Sequence, residues 1–210
     1  MAVPATARTA YKAFVPPPAP KTAKSAGTRR RLLELAAQLL VDRGYSAVSM
    51  HDIAAAAGLT KGAVYGHFRS KGQLLVEVIR WMLAERDHSP TTIEALSDPE
   101  RAVKLMHDQS GRELRLLEVD AAAAARHDPD VAAGLGILYR ERHARIEETM
   151  VDAPDPETTA WLVSAVVAGI GAREAVGLPA PDATRLSTTI MSAMRGLTDA
   201  NPTAIQSEEP

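Results

Sequence analysis

A chain of 210 residues is long enough for one large domain or two small ones with a sizeable core. It contains no cysteine, which excludes disulfides, thiolate metal sites and cysteine catalysis. Aromatics make up only 4% of the chain while 38 residues are alanine, the best helix former, so an all-α fold is predicted. The net charge of −2 hides a division: residues 1–80 carry 12 Lys/Arg against 4 acids, and residues 81–210 carry 12 against 22. A basic first third joined to an acidic remainder points to a polyanionic partner for the first third alone.

The longest nearly apolar run, Ala160 to Ala172, has 13 residues, short of the roughly 20 that a membrane span requires. The N-terminus shows no apolar signal-peptide core, and the expectation is a cytoplasmic protein without a membrane partner.

In chain order, residues 1–27 combine Val15-Pro16-Pro17-Pro18-Ala19-Pro20 with four basic residues and no acid, a composition expected to be a disordered or partly polyproline II tail. From Thr28, the apolar residues Leu32, Leu35, Ala36, Leu39 and Leu40 fall on one helix face, and Gly44 can end that helix. Ser49 opens a short helix through Ala57, with Asp52 in a capping-box position. Gly58 breaks it, and Thr60 can cap another helix running to Phe68. A longer helix follows from Gly72 to about Glu85, after Ser70. Proline punctuation then places helices at about 99–110, 112–127, 129–151, 156–176 and 182–198, with a frayed end from Asn201 to Pro210.

The segment from Ser49 to Phe68 carries the chemistry. Two short helices joined at Gly58, with Ile53, Ala57, Leu59, Val64 and Phe68 spaced to share a core, form a helix-turn-helix, whose second helix enters the DNA major groove N-terminus first. The leading turn, Thr60-Lys61-Gly62-Ala63, is small except for one lysine, so the backbone can approach a groove that admits a single helix.

Over residues 32–75 the chain resembles the DNA-binding domain of TetR-type transcriptional regulators. The resemblance rests on Leu32, Ala36, Leu40 and Gly44; Ser49, Asp52, Ile53 and Ala54; Ala57 to Gly62; Val64, Tyr65, His67 and Phe68; and Ser70, Lys71, Leu74 and Leu75. One departure is Gly72, where the family usually has an acid. The resemblance implies that Lys61, Gly62 and Ala63 face base edges, and that Ser49, Thr60, Tyr65, His67 and Lys71 hold phosphates.

It also implies the organisation of the rest: a DNA-binding domain over 28–75, a helical effector-binding and dimerisation domain over 76–200, and a disordered end over 201–210. Small residues around Ala165, Gly169 and Ala172 and the apolar Met191 and Met194 are the expected homodimer interface, although ordinary intrachain packing would use them equally well. A small-molecule effector is expected among Trp81, Met106, Tyr139 and Trp161, and the helix from Lys71 to Met82 is expected to be the only segment shared by the two domains. Arg112, Arg115, Arg126 and Arg173 could meet an anionic ligand but fit a solvated or salt-bridged face better.

An enzyme is disfavoured: the six histidines are never closer than 16 residues, and no metal pair, nucleophile elbow or phosphate-binding glycine loop occurs. No metal or cofactor is expected. The expected function is a repressor released from an inverted-repeat, double-stranded DNA operator by an effector; a TetR-type activator or a ligand-independent architectural protein is the alternative.

Overall fold

The computed structural model describes residues 22–87, 108–149 and 155–178, with isolated positions among 16–20 and 182–192. Seven helices are named here: α1 (Ala23–Arg43), α2 (Met50–Ala57), α3 (Lys61–Tyr65), α4 (Lys71–Asp87), α5 (Gln109–Ala124), α6 (Pro129–Thr149) and α7 (Pro156–Ala175). No strand occurs among the described residues, as the alanine-rich, aromatic-poor composition predicts. The expected helix at 99–110 falls mainly outside the described residues, as do most of the helix at 182–198 and residues 201–210.

Local caps set most boundaries. Helix α1 begins five residues before the expected Thr28, because the Thr22 side chain accepts from Ser25 N at 3.1 Å and starts the helix inside the proline-containing stretch. Helix α2 has the capping box: Ser49 Oγ accepts from Asp52 N, and the Asp52 carboxylate accepts from Ser49 N at 2.8 Å. Gly58 adopts the left-handed conformation (φ 65°) that ends α2, and Leu59 N then bonds back to Ala54 O at 2.9 Å. Helix α3 stops at Tyr65, not Phe68, since His67 N and Phe68 N both turn onto the Val64 carbonyl at 3.0 Å.

Helix α4 is the spine. Leu74, Leu75, Val76, Val78 and Ile79 are all fully buried, and between them Gln73 and Glu77 are nearly so. A helix buried all round must be packed on every side, and α4 touches α1, α5 and α6. Each of its large aliphatic side chains contributes about 1.5–3 kcal/mol by leaving water. Leu32, Ala36 and Leu40 of α1, Ile53 of α2, Val64 and Phe68 join the same core with Leu117, Val131 and Leu138 from α5 and α6.

The contact between the basic and acidic parts is broader than α4 alone. Helix α1 also packs on α5, and Tyr45, just after α1, donates its N–H to Asp120 Oδ2 at 2.8 Å and its hydroxyl to Asp128 Oδ2 at 2.9 Å. Burial, and then the Asp128 carboxylate, raise the Tyr45 hydroxyl above its ordinary range, so it stays a donor. Asp130 accepts from Arg69 at 2.8 Å and from Ser70 Oγ at 2.6 Å, and Arg80 reaches Glu141. The acids of the C-terminal part are therefore spent partly on holding the N-terminal helices, a use that their charge count does not reveal.

Candidate nucleic-acid interface

Helix α3 presents its leading turn outward. Thr60 Oγ1 caps it by accepting from Ala63 N at 3.2 Å, while Thr60, Lys61, Gly62 and Ala63 are all exposed. Val64 and Phe68, on the opposite side, are fully buried and anchor the helix to Ile53 and α4. A Cβ added at Gly62 would meet only Thr60 Oγ1 at 3.9 Å, so internal packing does not require glycine there. Its effect is on the outer surface, where nothing stands between backbone and an approaching partner.

Around that turn, Tyr65 is exposed at 43%, Ser49 is exposed at the start of α2, and the Lys61 ammonium lies 5.7 Å from the Tyr65 ring centroid. His67 is half-buried, and burial followed by the nearby Arg29 guanidinium holds its imidazole below the ordinary range. Both influences favour the neutral form of the ring.

Lys71, expected at a phosphate, makes contacts within the chain. Its ammonium donates to Tyr45 O at 2.8 Å and Val48 O at 3.0 Å and sits 4.1 Å from the Tyr45 ring centroid. Two of its three donors thus cap the carbonyls of the loop between α1 and α2. Lysine at this position closes that loop onto the start of α4.

Arg29 has a structural task that the sequence pattern did not disclose. Its guanidinium lies 4.7 Å from the Phe68 ring centroid and bonds Glu77 Oε2 at 2.7 Å. Glu77 in turn faces Arg80, which pairs with Glu141 on α6, so one ion-pair chain runs from α1 through α4 to α6. Desolvation pushes the Glu77 carboxyl upward against the two arginines.

Of the four residues expected around an effector, the three that the structure describes do not line one cavity. Trp81 borders an open groove of about 580 Å³ between α1, α4 and α5, together with Ala37, Val41, Met82, Glu85 and Arg86. Tyr139 does not border it: it lies on α6, 40% exposed, with Glu118 and Arg142 as its charged neighbours. Trp161 is 63% exposed on α7, and Met106 lies outside the described residues. Arg115 is buried in a two-pronged ion pair with Glu174, at 2.8 and 2.7 Å, which accounts for it without a ligand.

Ala165, Gly169 and Ala172 are exposed on α7, in line with Trp161, Leu162 and Val166. The two glycines of this helix have opposite surroundings. A Cβ at Gly171 would lie 3.1 Å from Arg115 Cβ on α5, whereas one at Gly169 would meet nothing within 4 Å among the described residues. Met191 and Met194 lie outside the described residues. No cluster of metal-ligating side chains occurs among the described residues, and no described helix is long and apolar enough to cross a membrane.

Residues 32–78 match the family described as "Bacterial regulatory proteins, tetR family". Over 70 residues the chain is 44% identical to the HTH-type transcriptional repressor KstR2 of Rhodococcus jostii, a match covering 33% of this chain and 34% of that one. The chain thus spans about a third of the length of the curated relatives it matches first. Among solved structures, a Rhodococcus sp. protein assigned to the TetR-family transcriptional regulators superposes with TM-score 0.68 at 17% identity, over 83% of this chain and 100% of that one. NalD, the secondary repressor of the MexAB-OprM multidrug efflux pump in Pseudomonas aeruginosa, gives 0.60 at 22% identity, over 86% and 100%. At those identities the likeness is one of fold, and it extends through the helices after α4. The family is one of DNA-binding regulators, not of enzymes. Residues 32–78 thus carry a domain of that family, on a fold shared with solved TetR-family regulators.

Proposed function

We propose that the protein is a sequence-specific, DNA-binding transcriptional regulator that reads an inverted repeat as a homodimer. The observation that carries this reading is the bare outer turn of α3: Thr60, Lys61, Gly62 and Ala63 are exposed together on a short helix anchored from behind by Val64 and Phe68. Lys61 then donates to guanine O6/N7, Ala63 meets a thymine methyl, and Ser49, Thr60, Tyr65 and His67 hold flanking phosphates. Dimerisation through α7 is supported by its exposed apolar face and by Gly169, whose bareness serves no contact among the described residues. Two copies related by a two-fold axis present recognition helices to half-sites about one helical turn, roughly 34 Å, apart.

Repression, with release by a small-molecule effector, completes the reading. Its support is α4, which reaches the recognition helix through Phe68 and is packed on α5 and α6 along its length. The test is selection from random duplexes followed by footprinting. The expected result is a protected inverted repeat occupied by two chains; an asymmetric site occupied by one chain would overturn the dimer, and no enriched sequence would overturn specific readout.

A further inference from the structure

Arg69 follows Phe68 directly and lies beside two of the residues assigned above to phosphates. With Tyr65, Gly66 and His67 it borders a small cavity of about 200 Å³ at the C-terminal end of α3. Its guanidinium donates to Asp130 Oδ1 at 2.8 Å, and its side chain is still 41% exposed. Arg29, by contrast, is packed on Phe68 and committed to Glu77.

Asp130 stands in the first turn of α6, and its other oxygen accepts from Ser70 Oγ at 2.6 Å. The two partners of this carboxylate are not equally fixed. Ser70 Oγ also accepts from Gln73 N at 3.0 Å, so the start of α4 holds it in place. The Arg69 main chain is fixed as well, since its N–H donates to Oε1 of the buried Gln73 at 2.8 Å. The long Arg69 side chain is the part that can change partner. An exposed ion pair holds it only weakly. Without Arg69, the Asp130 charge keeps Ser70 and the favourable N-terminal end of α6. A guanidinium gains more from a phosphate, through two parallel N–H···O bonds and the release of counterions from the duplex.

We propose that Arg69 is a phosphate contact of the DNA complex, and that Asp130 stands in for the phosphate while DNA is absent. This rests on the α3 reading above. It makes Asp130, from the acidic part of the chain, a competitor of DNA: each chain opens one ion pair when it binds.

The test uses a fluorescent 30-base-pair duplex of random sequence, so no operator need be known. Binding is followed by anisotropy between 50 and 200 mM KCl, and circular dichroism checks that each variant is folded. Arg69→Ala should lower the magnitude of the log–log salt slope by about 0.9 for each chain bound, and Arg69→Lys should keep it. Arg69→Gln, which can still bond Asp130, should show the same loss and serves if Arg69→Ala does not fold. Asp130→Asn leaves Ser70 an oxygen to bond. It should bind about 1.5–5-fold more tightly with an unchanged slope, because no ion pair has to open. In the Arg69→Ala chain the same change should bring a smaller gain. Unchanged slopes for Arg69→Ala and Arg69→Gln would overturn the phosphate contact. Equal gains from Asp130→Asn in both chains would reveal general charge repulsion and overturn the exchange. Either result leaves the α3 reading intact, whereas failure of the parent chain to bind duplex would overturn both.

Discussion

The Asp128 carboxylate occupies the space that a side chain on Gly72 would fill: a Cβ there would lie 2.7 and 2.8 Å from its oxygens. That carboxylate is pinned, since Oδ2 accepts from the Tyr45 hydroxyl and Oδ1 from Asp130 N and Val131 N. The acid that the family usually carries in the first turn of α4 is thus replaced by one reaching in from the start of α6, and glycine makes room for it. One carboxylate caps α6, receives Tyr45 and lies against the N-terminus of α4, where helix N–H groups favour negative charge.

Gly72→Ala should therefore destabilise the protein, although alanine is the better helix former by about 1 kcal/mol. The overpacking cost of about 1–3 kcal/mol prevails because the pinned carboxylate cannot swing aside. Urea denaturation should show the loss. Asp128→Ala in the same chain should offset part of it, making the double variant more stable than the sum of the singles by about 1 kcal/mol. Strict additivity would show that the contact carries no strain.

Lys71→Met should cost about 1.5–3 kcal/mol, the worth of charged hydrogen bonds to the carbonyls of Tyr45 and Val48. Its salt slope on duplex DNA should match that of the parent chain. A slope smaller in magnitude by about 0.9 with unchanged melting would instead make Lys71 the phosphate contact that its sequence position implies.

The fold is legible in the sequence wherever a cap or a period sets it. Ser49 with Asp52, Gly58 and Thr60 delimit the helix-turn-helix from local chemistry alone, and Leu32, Ala36 and Leu40 do project into the core. What could not be read is pairing across distance. Asp128-Pro129-Asp130 announces a helix start, yet its bonds to Tyr45 and Arg69 span 83 and 61 residues. Arg29 lies in a basic run that reads as DNA-facing, but Phe68 and Glu77 draw it inward. Trp81, Tyr139 and Trp161, expected around an effector, share only rarity, and rarity carries no direction in space.

Glu77→Ala should destabilise by about 3–5 kcal/mol, since it leaves the Arg29 guanidinium buried without its carboxylate. Arg29→Met/Glu77→Met removes both charges and should cost less than Glu77→Ala. Thermal melting of the three chains checks this; a double variant less stable than Glu77→Ala would show that the charge pair itself stabilises the junction.

His67 makes stability depend on pH. Burial, aided by Arg29, lowers its native value below the ordinary 6.5. The unfolded chain therefore takes up the proton first, and the contribution, fully present above about 6.5, is lost as pH falls through the native value. Relative to His67→Gln, the parent chain should lose stability between pH 7 and pH 5. Parallel melting curves against pH would contradict this.

The central claim is that the exposed turn of α3 reads base sequence, and its most direct test is a ratio of affinities. Wild-type protein and Lys61→Ala are titrated at one fixed salt concentration onto the selected inverted repeat and onto a shuffled duplex of the same composition. Lys61→Ala should lose about 1–3 kcal/mol on the selected repeat, with a smaller loss on the shuffled duplex, so that discrimination at one position of each half-site relaxes. Equal losses on both duplexes would mean that Lys61 holds a phosphate and that the bare turn does not carry the sequence readout.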